Sequence, residues 1–135
     1  MTMQMNQMKS FYNVMLSVVI LLLGTATYAQ DKKMADASPE EKAELMTEKQ
    51  NEKLQFYDDQ ENRMYDINLK YVKEMERIRS QGRSRKTLMD LRDMSKRKDK
   101  EVKQVLDDDQ YYTYLEMKEA MREQMRERMK SRDDG

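Results

Sequence analysis

Phe56-Tyr57-Asp58-Asp59-Gln60 and Leu106-Asp107-Asp108-Asp109-Gln110 are two copies of one phrase, set fifty positions apart: an apolar residue, a variable one, two acids and a glutamine. The second copy reads as a helix start. Asp107 stands at the N-cap, where a carboxylate accepts from free backbone N–H groups. Gln110 then falls at N3 and bonds back, completing a capping box. Leu106 and Tyr111 occupy N′ and N4, the two positions of a hydrophobic staple. Asp108 and Asp109 face the positive end of the helix dipole. In the first copy Tyr57 is a poor cap. There the helix is expected to begin one residue later, with Asp58 capping and Glu61 at N3.

Outward from these two points the chain reads as four helices. Ser38-Pro39-Glu40-Glu41 has a serine cap, proline at N1 and glutamate at N3, which opens a first helix over 39–55. Its apolar face is meagre: Ala43, Met46 and Leu54. A second helix is expected over 58–80, because Met64, Ile67, Tyr71, Met75 and Ile78 recur at three- and four-residue steps. Tyr65, Leu69 and Val72 widen that face. Gly82 accepts the left-handed backbone that ends a helix. Ser84 caps a third helix running to Val105, with Leu88, Leu91, Met94, Val102 and Val105 as its apolar positions. Its middle, 95–100, is almost wholly charged and must be solvated or face a polar groove. The fourth helix spans 108–130. Tyr111, Tyr114, Leu115, Met117, Met121, Met125 and Met129 line one side of it, and the chain from Ser131 is expected to fray, leaving 132–135 as a tail. No alternating run of β-branched residues signals a strand. The expected fold is all-α: four helices in an elongated, curved helical hairpin, expected to pair along a seam as a homodimer.

The N-terminus reads as an export signal over 1–29. Lys9 is the only charge before the apolar run 14–23, and Thr27-Tyr28-Ala29 offers small residues for cleavage before Gln30. The run is shorter than the ~20 residues of a membrane span. Residues 30–37 follow as a leader to the 38–131 helical domain. The expected location is a bacterial periplasm, with no stable membrane insertion after cleavage. With no cysteine in the chain, disulfides play no part there.

Charge is abundant yet balanced, 26 basic against 26 acidic residues. Low apolar content signals disorder only when net charge is also large, so this composition points to long charged helices that pair along a seam. The charge is segregated. Residues 36–66 hold ten acids and four bases, and residues 83–103 hold nine bases and four acids. Fields summed over segments of this size recruit partners.

The doubled phrase resembles the Leu-Thr-x-x-Gln motif of the Spy/CpxP family of small exported helical chaperones, which carry two copies near helix starts. Gln60, Gln110 and Leu106 match the motif. Phe56 replaces the first leucine, and Tyr57 and Asp107 replace the threonines. The resemblance covers the helical domain and implies a cradle-like antiparallel dimer with ATP-independent holdase activity toward partly unfolded exported proteins. An envelope-stress regulator that docks to a sensor kinase, and a structural coiled-coil protein, are the alternatives.

Chemistry of other kinds lacks its parts. There is no His or Cys, Ser38 and Ser84 are caps, and no glycine-rich loop exists to cradle phosphate. Too little apolar material exists to bury a catalytic carboxyl. No enzyme activity, cofactor or metal is expected. The ladder Met117, Met121, Met125, Met129 reads first as packing, with Cu(I) binding the lesser alternative. The basic segment has no interleaved aromatics, so no nucleic-acid partner is expected. Methionine conforms to varied apolar shapes and is overused on promiscuous surfaces. Tyr111, Tyr114, Met117, Met121, Arg122, Met125, Arg126 and Met129 are therefore candidate client contacts. Arg85, Lys86, Arg92, Arg97 and Lys98 are candidates for electrostatic capture.

Overall fold

The computed structural model describes residues 35–133. The export signal expected over 1–29 and most of the leader lie outside the described residues. Contacts divide the chain into Met1–Ala37 and Ser38–Gly135, and the fold described is that of the second unit. It is all-α: α1 Pro39–Leu54, α2 Gln60–Arg79, α3 Arg85–Val105 and α4 Asp108–Asp133. No strand occurs among the described residues. α2 is the central element, packed on α1 and on α3, while α4 touches α1 and α3.

Local chemistry sets the boundaries. Ser38 accepts from the Glu41 amide at 3.2 Å, and the Glu41 carboxylate accepts from the Ser38 amide at 2.8 Å, a complete capping box. Ser84 accepts from the Thr87 amide at 3.1 Å and opens α3. Between α2 and α3, Gly82 adopts φ +89°, a conformation costly to any residue with a Cβ. α4 continues as helix to Asp133, beyond the point at which fraying was expected from Ser131.

The α1–α2 interface is a seam with a polar layer. The buried residues of α1 are Ala43, Thr47, Gln50 and Leu54, a 4-3-4 spacing that makes the alternating seam of a coiled coil. Met46 is only half-buried, and Thr47 and Gln50 take the places that apolar periodicity alone would not assign. Opposite them the fully buried Asn68 of α2 donates to Thr47 Oγ1 at 2.9 Å and to Gln50 Oε1 at 2.8 Å. The Thr47 hydroxyl in turn donates to the Ala43 carbonyl at 2.7 Å. Among the described residues, the Asn68 Oδ1 is the one buried side-chain polar atom without a partner. Polar layers of this kind weaken a seam but fix its register, because a slip leaves several buried groups unpaired.

The apolar core runs along α2 as Met64, Ile67, Tyr71 and Ile78, meets Met94, Val102 and Val105 of α3, and closes on Leu54, Leu106 and Tyr114. The expected α2 face is present, with Gln60 and Asn68 added to it. On α3 the expectation for Leu88 is overturned: it is 68% exposed, while Thr87 beside it is buried. Periodicity placed Leu88 near the apolar face, but no neighbouring helix reaches it.

Candidate functional site

The two copies of the phrase form the joints α1–α2 and α3–α4, and they meet. Gln60 Nε2 donates to Gln110 Oε1 at 2.8 Å, and Gln110 Nε2 donates to Gln60 Oε1 at 2.9 Å. Each amide then reaches a helix end from the other half of the fold. Gln60 donates to the Val105 carbonyl at 3.0 Å, at the last residue of α3. Gln110 donates to the Leu54 carbonyl at 3.1 Å, at the last residue of α1. Final carbonyls of a helix have no intrahelical donor, and here each motif caps the helix that precedes the other motif. Each glutamine oxygen also accepts from its own joint, from the Tyr57 amide at 3.1 Å and the Asp107 amide at 3.0 Å. Both side chains are buried, so their amides are fully satisfied where an unpaired one would be costly.

The variable position of the phrase links the copies a second time: the Tyr57 hydroxyl donates to Asp107 Oδ2 at 3.2 Å. That carboxylate, with burial next, raises the Tyr57 phenol above its ordinary range. Asp107 Oδ1 accepts from the Gln110 amide at 2.8 Å, so the second capping box forms as expected. Leu106 is buried and Tyr111 packs against the core beside it, the two ends of the staple. The first joint differs from expectation. α2 begins at Gln60 after Asp59, with no side-chain cap, and Asp58 turns left-handed at φ +52°. Its carboxylate caps nothing, because the Tyr57 amide takes the Gln60 oxygen and the joint closes on backbone instead, Gln60 N to Tyr57 O at 3.1 Å. Phe56 is half-buried against the core, and its amide donates to Asn51 Oδ1 at 2.8 Å.

A second cluster ties α4 to α3. Asp99 accepts from the Tyr114 hydroxyl at 3.1 Å, and the Lys118 ammonium donates to both of its oxygens, at 2.7 and 2.6 Å, and to Ser95 Oγ at 3.1 Å. This is the polar groove that the charged middle of α3 requires. Burial, followed by Asp99, pushes the Tyr114 phenol far above its ordinary range. On the α2 side, Arg97 donates to both oxygens of Glu74, and Tyr71 and Lys70 both donate to Glu101 at 2.8 and 2.6 Å. Burial and that bond push the Tyr71 phenol up to about 12. Lys98 is different. It lies half-buried on the inner face of α3 between Met94 and Val102. Burial, with the Lys118 ammonium second, pulls its amine down from 10.5 to about 8.

The candidate client contacts fall into two sets. Tyr114 is buried, and Tyr111 and Met117 pack against the core; these three hold the fold together. Met121, Met125 and Met129 are 58%, 58% and 70% exposed, and every residue from Glu119 to Asp133 faces solvent. Arg122 and Arg126 pair with Glu119 and Glu123 on the same helix, at 3.7 and 3.3 Å. Of the candidate capture residues, Lys86 pairs with Asp90 and Arg97 with Glu74, whereas Arg85 and Arg92 are exposed outside the ion pairs of the fold. Met89 and Leu88 are exposed on the same helix. Among the described residues no group of three or more His, Cys, Asp or Glu side chains is placed to hold a metal ion. No helix among them is long and apolar enough to cross a membrane.

Sequence reasoning found both glutamines but missed their partners. The Tyr57–Asp107 contact had one legible signal, that both residues stand at the same place in the two copies. No curated protein and no solved structure matches the chain. A family model described as a domain of unknown function matches residues 27–135, across both joints and the helices α1–α4, and the chain belongs to that family, DUF4890.

Proposed function

We propose that this protein is an exported, ATP-independent holdase for partly unfolded proteins, acting as a dimer. The observation that carries the reading is the far half of α4, where Met121, Met125 and Met129 stand in solvent on a helix held to the core only through its first turns. Exposed apolar side chains set singly among charges stay soluble, yet together they offer a soft surface to apolar segments of varied shape. Leu88 and Met89 extend the apolar surface on α3. Arg85 and Arg92 supply long-range attraction to acidic segments of a client, which raises the rate of encounter. The joint clasp gives the binding helices a rigid base. The resemblance of Gln60, Gln110 and Leu106 to the Leu-Thr-x-x-Gln motif supports the same reading.

Aggregation of a chemically denatured unrelated client, followed by light scattering with and without the purified chain, tests it. Suppression at near-stoichiometric ratio is the expected result. The variant M121Q/M125Q/M129Q is expected to keep its helix content and lose most of that suppression. A wild-type chain without effect on aggregation overturns the proposal, and a single tight partner recovered from envelope extract in that case assigns the regulatory role instead.

A further inference from the structure

Two rows of like charge stand on two different helices with the same spacing. On α1, Glu44, Glu48 and Glu52 are all exposed and recur every four residues; on α3, Arg92, Lys96 and Lys100 do the same. None of the six belongs to the ion pairs formed among the described residues, which use Glu40, Glu74, Glu76, Asp90, Asp99, Glu101, Glu119 and Glu123 as acids. Each row steps about 6 Å along its axis per charge, at ~1.5 Å per residue. Like charges at i,i+4 repel one another, so each row is unfavourable alone and is relieved by an opposite row.

From this match we propose that the acid row of α1 in one copy docks on the basic row of α3 in a second copy. The match is geometric as well as electrostatic. Rows at i,i+4 incline about 26° to the helix axis, so two of them superimpose when the axes cross at about −50°, the commonest crossing of packed helices. Three charges then face three charges at equal steps. Leu88 lies one step before Arg92 on the same row and is 68% exposed, so the contact also covers apolar surface. A second copy and the acidic segments of a client compete for the same cations. The contact is read by mass in solution, so its failure leaves the holdase proposal standing, and the reverse also holds.

Sedimentation velocity of the purified chain tests the docking. At low salt the sedimentation coefficient is expected to rise with concentration, and at about 1 M salt, where screening acts over about 3 Å, it is expected to fall to the monomer value or to that of a salt-resistant dimer. Two charge-reversed chains give the decisive comparison: E44K/E48K/E52K and R92E/K96E/K100E. All six positions are exposed, so circular dichroism is expected to show unchanged helix content in both. Each reversed chain alone is expected to lose the salt-sensitive association, and an equimolar mixture is expected to regain it. Wild-type association that is insensitive to salt, or a mixture that sediments as its separate components, overturns the proposal. So does wild-type chain that floats with anionic phosphatidylserine vesicles while remaining unassociated without them, which assigns the basic row to a membrane surface.

Discussion

Replacing Gln110 by leucine removes four side-chain hydrogen bonds at once: two with Gln60, one to the Leu54 carbonyl and one from the Asp107 amide. Asp107 is exposed, so water replaces the last of these. The other three are buried. At about 1 kcal/mol each, with the stranded Leu54 carbonyl adding about 1–3 kcal/mol of desolvation, Gln110→Leu should cost about 4–6 kcal/mol. That is a large share of the roughly 5–15 kcal/mol that holds a small domain together. Gln60→Leu should cost about as much, by the same count with the Val105 carbonyl stranded. The double variant is the informative one. The two amide–amide bonds are lost to either single change, so together the substitutions should cost about 2 kcal/mol less than their sum. Urea denaturation followed by far-UV circular dichroism measures all three chains. Additivity within about 0.5 kcal/mol would refute the clasp, since independent sites behave that way.

Three further outcomes follow from other contacts of the fold. Lys98 binds its proton less tightly in the fold than in the unfolded chain, where the value is 10.5 and not about 8. Stability is therefore reduced in full below pH 8 and recovers as pH rises from about 8 toward 10. Tyr71 and Tyr114 act with the opposite sign, since their raised values make the unfolded state lose protons first, but only near and above pH 10. Lys98→Met should raise stability at neutral pH by up to about 3 kcal/mol, from 1.36 kcal/mol per pKa unit, and should flatten the profile between pH 8 and 10 in urea melts. Asn68→Leu strands Gln50 Oε1 in the seam and should cost about 1–3 kcal/mol, while Asn68→Leu with Gln50→Leu should recover part of that loss, because an unpaired buried group is worse than none. Met117→Gln should lower the melting temperature by several degrees, at about 4–8 °C per kcal/mol for a domain of this size, whereas Met121→Gln should leave it unchanged.

The helices were legible because their punctuation is local. Ser38, Ser84 and Asp107 cap through bonds spanning three residues, and such bonds are written in adjacent letters. The burial of each face was less legible. Periodicity says that Tyr114, Met117, Met121 and Met125 share a side, but not that a neighbour covers only the first two. Thr47 and Gln50 were hidden because a polar residue in a seam looks like a solvated one until Asn68 arrives opposite. Asp58 misled because its place beside a helix start suggested a cap, while the backbone there turned left-handed. Gln110 had a local reading, as the N3 partner of Asp107, and it was correct; Gln60, in whose helix Glu61 was expected at N3, makes the same back-bond to the Tyr57 amide. Their mutual bond spans fifty residues, and no rule of spacing reaches that far.

The reciprocal amide pair also bears on how such chains diversify. A glutamine whose oxygen and nitrogen are matched by its counterpart across the fold gains nothing from drifting alone. Relatives that retain one should retain both, and lineages that abandon one should abandon the other, substituting a different filling at the two sites in step. Ancestry would then show as paired change at positions 60 and 110 even where the surrounding letters have blurred.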